Sequence, residues 1–444
     1  MKNNLFALTV VAGLGFAAAS LTPSALSGSL SQNAVSEDSE VSTPAIAALR
    51  AEGPPGLQAL LEAHATLIHQ HESDGNRVLP MPKDPVWERL RTALDKVSGQ
   101  RDCHASRLFW YTDLEQAKAA AKASGKPILS LRLLGRLDEE YSCANSRFFR
   151  TTLYANAQVS QYLRDHFILH WKSVRPVPRI TIDFGDGRKI ERTVTGNSIH
   201  YVLDSDGEPI DALPGLYGPK AFLKGLADAE QAARKYISLS GDAREGNLRQ
   251  YHAERNAATT AARDADLARI SNVPNQLLAT SFRPPTALLA GGVAWGKGAV
   301  EMPMLKSFQD LDDAAWTKIA LLHQDDAALD SGAQTLIRAK NPTAYDASRV
   351  ALSKTRYESP FVVMMRNLQR SIAEDTVRNE YVLHSRIHDW FVKGTAPKDL
   401  DQLNSKIYAE LFLTPDTDPW LGLVPANTFT GLDNNGLVPA VGAP

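Results

Sequence analysis

The sequence has 444 residues, of which 48 are basic and 50 acidic, and 43% are hydrophobic. This length predicts two or three domains, and the balanced charge gives no overall field that would attract nucleic acid or an anionic membrane surface. We therefore expect no nucleic-acid partner.

The N-terminus has the pattern of a secretory signal peptide, which we predict over residues 1–27. Lys2 gives a positive start, residues 5–19 form an apolar run rich in small side chains, and small residues after the run offer cleavage sites. The run is shorter than the roughly 20 apolar residues of a membrane-spanning helix. We expect a secreted or periplasmic protein with no stable membrane insertion after cleavage; an uncleaved anchor is the alternative.

Residues 28–104 predict a flexible segment followed by a small helical region. The stretch from 28 to about 45 is rich in Ser, Thr, Ala and acidic residues and has no apolar periodicity. Three stretches then carry apolar residues at helical spacing: AIAALRAEG, PPGLQALLEAHATLIHQH and DPVWERLRTALDKV.

Residues 105–237 alternate between predicted helices and strands. A helix in TDLEQAKAAAKASGKP, with Thr112 or Asp113 as its N-cap and Gly125 as its stop, precedes the buried strand ILSLRLL. A helix in NAQVSQYLRDHF, the strand FILHWKSV, a hairpin-like segment, the strand and turn of SIHYVLDSDGEPI and a last helix follow. This alternation predicts an α/β fold with a central mixed sheet and flanking helices.

The same order of elements, with Cys143 at the head of a helix and YVLDSDGEPID later on, resembles the thioredoxin fold. The resemblance is to the extracytoplasmic, thioredoxin-like branch and covers about residues 105–237. It implies that Cys143 occupies the position of the nucleophilic cysteine, and that Ser146 replaces the resolving one. The family's cis-proline position falls on Ser198 or Ile199. A dithiol cycle within this C-x-x-S motif is therefore excluded.

The chain has two cysteines, and an oxidising compartment would allow them to pair. One hypothesis is an atypical single-cysteine thiol-disulfide oxidoreductase. In it Cys143 is the nucleophile, Ser146 and the helix N-terminus stabilise its thiolate, and Cys103 or a partner protein's thiol resolves it. The alternative is a non-catalytic binding or scaffold protein with a structural Cys103–Cys143 disulfide, whose groove near residues 198–200 docks a protein. An unpaired, buried thiol is a further alternative.

Residues 238–424 predict a mostly α-helical domain, and residues 425–444 an extended tail. The stretch GGVAWGKG at 291–298 matches the first part of a phosphate-binding loop, but Gly298 stands where a hydroxyl should hold magnesium. We interpret the stretch as a loop and predict no cofactor.

A lesser alternative is a metal site in EYVLHSRIHDW. Glu380, His384 and His388 are spaced by four, so on a helix they lie along one face. One carboxylate and two imidazoles are capable ligands for a divalent metal. The plain alternative is a polar helix face with no ligand.

Overall fold

The computed structural model describes residues 23–74, 84–193, 197–270, 311–341 and 360–421. Most of the predicted signal peptide, the GGVAWGKG stretch and the predicted tail lie outside these ranges. Among the helices that are described, none is both long and apolar enough to cross a membrane.

The N-terminal part is a layer of helices with its own hydrophobic cluster, which includes Leu49, Leu60 and Leu90. Asp38 and Asp84 cap helix N-termini by accepting hydrogen bonds from backbone N–H groups of the first turn. The helices are α1 (Pro23–Asn33), α2 (Ser39–Ala51), α3 (Pro54–Ala63), α4 (Ala65–Asp74) and α5 (Pro85–Ser98).

Most of the segment between residues 28 and 45, which the composition predicts to be flexible, lies in α1 and α2. Ala34 and Ala45 are buried in the N-terminal cluster beside Leu49. Small side chains at such positions let helices approach closely. Packing between the helices therefore stabilises this segment, although its polar composition predicts flexibility.

A four-stranded mixed sheet follows, with the strands in the order β2-β1-β5-β6. β1 pairs parallel with β2 and antiparallel with β5, and β5 pairs antiparallel with β6. All residues of β1, β5 and β6 are buried because helices cover both faces. The strands are β1 (Ile128–Leu134), β2 (Ile168–Arg175), β5 (Ser198–Leu203) and β6 (Pro209–Pro214), while β3 (Arg179–Asp183) and β4 (Lys189–Thr193) form a separate hairpin.

The helix that precedes β1 begins and ends as its sequence predicts. Asp113 caps the helix before β1, and Gly125 ends it with a φ of 69°, a left-handed conformation that glycine adopts without strain. The helices around the sheet are α6 (Cys103–Ser106), α7 (Leu114–Ser124), α8 (Ala144–Phe148) with the π-helical turn Phe149–Leu153, α9 (Ala157–His166) and α10 (Pro219–Ser238).

The remaining part is helical, as predicted. Its helices are α11 (Gly241–Ile270), α12 (Asp313–Leu322), α13 (Ser331–Lys340), α14 (Pro360–Arg378), α15 (Ser385–Val392) and α16 (Leu400–Glu410), with the π-helical turn Asn379–His384 between α14 and α15. Their apolar side chains, among them Trp316, Ile372 and Leu403, belong to the same hydrophobic cluster as the sheet. The division at residue 238 stays a prediction, but no separate core marks it in the described part.

Charged and polar contacts attach α16 to the sheet. Asp401 accepts from the buried guanidinium of Arg132 on β1 at 3.0 Å and from Lys172 on β2 at 2.9 Å. Tyr201 on β5 donates to Asn404 at 3.1 Å. The C-terminal helix therefore covers the face of the sheet on which these side chains lie.

Gly218 offers a test of how closely the C-terminal helices approach the sheet. Its N–H donates to Thr376 Oγ1 at 2.7 Å, and a Cβ at this position would lie 2.1 Å from the backbone oxygen of Asp326. We expect Gly218→Ala to lower the free energy of unfolding by about 1–3 kcal/mol, because backbone atoms must move. Urea unfolding measures this change.

Gly246→Ala is the matched control. Gly246 is an exposed position inside α11, and its added Cβ would meet no atom within 4 Å. Alanine there should stabilise the protein by about 0.5–1 kcal/mol. Equal effects of the two substitutions would contradict the close approach at Gly218.

Candidate functional site

Histidines and carboxylates from three parts of the chain form a cluster between the sheet and the C-terminal helices, and all of its members except the half-buried Glu380 are buried. Asp211 comes from β6 and His252 from α11, while Glu380, His384 and His388 come from the π-helical turn and α15. We call these five residues the histidine cluster. The three residues predicted from their spacing do lie along one face, with the His384 and His388 ring centroids 4.0 Å apart.

His384 carries a positive charge in the centre of the cluster. Its Nδ1 donates to Glu380 Oε2 at 2.9 Å, and its Nε2 donates to Asp211 Oδ1 at 3.0 Å. Both ring nitrogens must be protonated to make these two bonds. Burial disfavours the imidazolium, but the two carboxylates outweigh it and raise the pKa of His384 to about 10.

The positive charge of His384 in turn keeps the two carboxylates ionised. Burial opposes their charge, yet His384 lowers the pKa of Glu380 to about 2 and holds that of Asp211 well below its ordinary value. Tyr251 donates to Asp211 Oδ2 at 2.6 Å, and Arg255 reaches Glu380 Oε1 at 3.4 Å. Asp211, Glu380, His384 and Arg255 together carry no net charge.

His252 and His388 are neutral. His252 Nε2 donates to the backbone oxygen of Ile210 at 3.0 Å, so its Nδ1 carries a lone pair, and this atom lies 2.8 Å from His388 Nδ1. Burial, with the positive His384 nearby, lowers the pKa of His252 to about 4 and that of His388 well below its ordinary value. The Nε2 atom of His388 is buried and makes no hydrogen bond within the described residues.

Two neutral imidazoles beside a carboxylate are a donor set that divalent metals accept. One ligand atom from each of Asp211, His252 and His388 lies within 4.8 Å of the others. Of the residues predicted as ligands, only His388 belongs to this set, because both nitrogens of His384 are engaged by carboxylates. Asp211 and His252 were not predicted, since no local spacing connects them to residues 380–388.

The predicted thiol site brings Cys143, Ser146 and Ser198 together. Cys143 is fully buried and occupies the position before α8, with its Sγ 2.9 Å from Ser198 Oγ and 3.4 Å from Ser146 Oγ. The Ser146 hydroxyl donates its single proton to the Cys143 carbonyl at 2.9 Å. Ser146 therefore accepts from the thiol, and Ser198 is the neighbouring hydroxyl that can donate to Sγ.

Cys103 lies in a different environment. It belongs to the N-terminal hydrophobic cluster, whereas Cys143 belongs to the cluster of the sheet, and both are free thiols in the structure. Burial, with a smaller contribution from Asp95, raises the pKa of Cys103 to about 12. The structure does not pair the two cysteines, and Cys103 has the environment of an inert thiol.

The chain's own C-terminal segment covers the groove that the sequence predicts for a protein partner. Residues 198–200 are buried. Tyr408 on α16 donates to the carbonyl of the neighbouring Asn197 at 2.9 Å, and Asn197 Nδ2 donates to Thr414 Oγ1 at 3.1 Å. Burial and the nearby Cys143 raise the pKa of Tyr408 well above its ordinary value.

Comparison of the chain with protein-family models, with curated proteins and with solved structures yields no match. The thioredoxin resemblance therefore has no support from relatives.

The charge of His384 predicts a specific pH dependence of stability. Its pKa is about 10 in the folded protein and about 6.5 in an unfolded chain. Its contribution is fully present below about pH 6.5 and is lost as the pH rises towards 10, because the native state then binds one more proton than the unfolded state. Urea unfolding of the wild type should lose up to about 1.4 kcal/mol per pH unit from this group between pH 7.5 and 9.5.

His384→Lys is the matched variant, because lysine keeps a positive charge that does not titrate in this range. Its stability should fall less steeply with pH than that of the wild type. Nitrogen-15 NMR of the wild type checks the same point without a substitution: one histidine should remain an imidazolium at pH 8. A wild type without such a signal would contradict the charged His384.

Proposed function

We propose that the protein is an exported, thioredoxin-fold scaffold protein whose thiols are not catalytic. In this proposal the sheet is a platform on which the C-terminal helices and the histidine cluster are assembled. The observation that carries it is the complete burial of Cys143 under the protein's own chain. Export rests on the predicted signal peptide.

Several features support a thioredoxin-like fold for the middle of the chain. The sheet is mixed, and helices cover both of its faces. Cys143 precedes a helix that follows β1, as the nucleophilic cysteine of the family does. Ser198, one of the two residues assigned to the cis-proline position, lies opposite the sulfur atom at 2.9 Å.

The surroundings of the two thiols favour scaffolding over redox exchange. Thiol-disulfide exchange needs a thiolate that another sulfur can reach. Cys143 is fully buried, Ser146 cannot resolve a disulfide, and Cys103 sits in a separate cluster with a raised pKa. The contacts of Asp401 with the sheet and of Tyr408 with Asn197 attach the covering helix at both of its ends.

The second candidate is the single-cysteine oxidoreductase, with a protein thiol or disulfide as its partner. The Cys143 sulfur lies within hydrogen-bond distance of two hydroxyl groups at the start of a helix. This activity requires the segment around Tyr408 and Thr414 to move away.

Thiol labelling separates the two candidates. Cys103→Ser leaves Cys143 as the single thiol, and Cys143→Ser leaves Cys103 as a buried reference. For a scaffold, we expect both native variants to react with a disulfide reagent at least about 100-fold more slowly than the same variants in denaturant. Fast labelling of Cys143, with a midpoint well below about pH 8.5, would instead establish the oxidoreductase candidate.

The denatured wild type should present two thiols without reductant, because both cysteines are free. If thiols appear only after reduction, the two cysteines are bridged. That result would replace the free-thiol arrangement by the structural disulfide predicted as an alternative.

Tyr408→Phe tests whether α16 is the cover over Cys143. The substitution removes the hydrogen bond to the Asn197 carbonyl and should cost about 1 kcal/mol of local stability. We expect the labelling rate of Cys143 in the Cys103→Ser background to rise about fivefold. Ser405→Ala, an exposed change on the same helix, should leave the rate unaltered; equal rates in all three proteins would rule out α16 as the cover.

A further inference from the structure

The Asp211 carboxylate and the two neutral imidazoles of the histidine cluster support an inference that is independent of the thiols and of the fold family. Asp211, His252 and His388 are fully or almost fully buried, each exposed by 1% or less. Three different elements supply them. Among these side chains His388 has a buried ring nitrogen, Nε2, that makes no hydrogen bond within the described residues, and such a group costs free energy.

We propose that Asp211, His252 and His388 bind one divalent transition-metal ion, of the class to which Zn²⁺ belongs. Two imidazole nitrogens and one carboxylate oxygen suit zinc and neighbouring first-row metals, whereas magnesium and calcium prefer oxygen ligands alone. The ligand set differs from the helix-face set predicted from spacing, since Asp211 and His252 replace Glu380 and His384.

The protonation of His252 supports this assignment. Its Nε2 must donate to the Ile210 carbonyl, so the Nδ1 lone pair is directed into the cluster. Metal-ligating histidines usually donate their other ring nitrogen to a backbone carbonyl or a carboxylate, which holds the ring in place. His252 has this arrangement.

His388 is the second imidazole ligand. The environment of its ring supports the site independently of His252. The ring is completely buried, and its Nε2 has no hydrogen-bond partner in the described part of the chain. Its Nδ1–H donates to the His252 Nδ1 lone pair at 2.8 Å, and Nδ1 lies 3.9 Å from Asp211 Oδ1. A metal ion bound by both Nδ1 atoms would replace this hydrogen bond and leave the His388 proton on Nε2. A tetrahedral zinc with bonds of about 2.0–2.1 Å separates its ligand atoms by about 3.3 Å, so each of these two separations would change by about 0.5 Å.

The groups around Asp211 complete the site. Its Oδ1 accepts from His384, and its Oδ2 accepts from Tyr251 at 2.6 Å. Outer hydrogen bonds of this kind orient a ligating carboxylate. His384 and Glu380 therefore belong to the surrounding shell, where they position Asp211.

The experiment uses the mature full-length protein after treatment with a chelator. Isothermal titration with Zn²⁺ should give one bound ion per chain, and Co²⁺ should give the visible absorption of a low-symmetry, four-coordinate site. Zinc at about 100 times its Kd should raise Tm by about 3 °C. X-ray absorption of the zinc-loaded wild type should report two imidazoles among nitrogen and oxygen ligands only.

Two conservative variants test the assignment of residues. His252→Gln and His388→Asn should each weaken zinc binding at least about 100-fold and remove the Co²⁺ absorption, while circular dichroism reports whether the variants fold. His69→Gln is the control, because His69 is an exposed histidine on α4, and its substitution should leave one bound ion.

A wild type that binds neither ion would overturn the proposal, as would zinc binding that survives both cluster variants. An X-ray absorption spectrum of the wild type without two imidazole ligands would also overturn the proposal, even if both variants failed to fold. Because these measurements do not involve Cys143, their failure would leave the scaffold proposal unaffected.

Discussion

The positive charge of His384, held between Asp211 and Glu380, connects the sheet to the C-terminal helices. Two carboxylates buried next to each other would repel, and each would lose its hydration. The imidazolium offsets both costs only because it donates one hydrogen bond to each carboxylate. Asp211 belongs to β6 and Glu380 to the helical part, so their shared proton donor holds two distant parts of the chain in one arrangement.

This constraint also explains why the other two histidines are neutral. A second positive imidazole beside His384 would be repelled in a buried environment, and His252 and His388 therefore have lowered pKa values. The cluster thus separates into a charged half, which joins secondary-structure elements, and a neutral half, which has lone pairs to offer. A metal ion would bind to the neutral half while the charged half keeps the carboxylate of Asp211 in place.

The same packing has a different effect on the Cys143 thiol, which it makes inaccessible. The helices that complete the cluster continue into α16, which lies on the sheet and covers the Cys143 end. A thiol at this position keeps its neighbours Ser146 and Ser198 but loses access to other sulfur atoms. The resemblance to a redox family therefore concerns the arrangement of elements more than the chemistry they present.

The sequence by itself determined the local features of this protein. Helix starts at residues such as Asp113, helix stops such as Gly125 and the strands β1, β2 and β5 depend on neighbouring residues and were predicted. The edge strand β6, which carries Asp211, was not predicted. The spacing of Glu380, His384 and His388 likewise predicted one face of a helix. The helicity of residues 28–45 was missed because it depends on packing against other helices.

Only the tertiary structure decided which residues share a site and which charges they carry. Asp211 and His252 join His388 from positions more than 100 residues away in the chain, and no local pattern connects them. The metal ligands that we propose therefore differ from those predicted by spacing, and Cys143 is fully buried. The physical reason is that burial and charge compensation depend on contacts between distant segments, whereas capping and periodicity depend on residues within a few positions of each other.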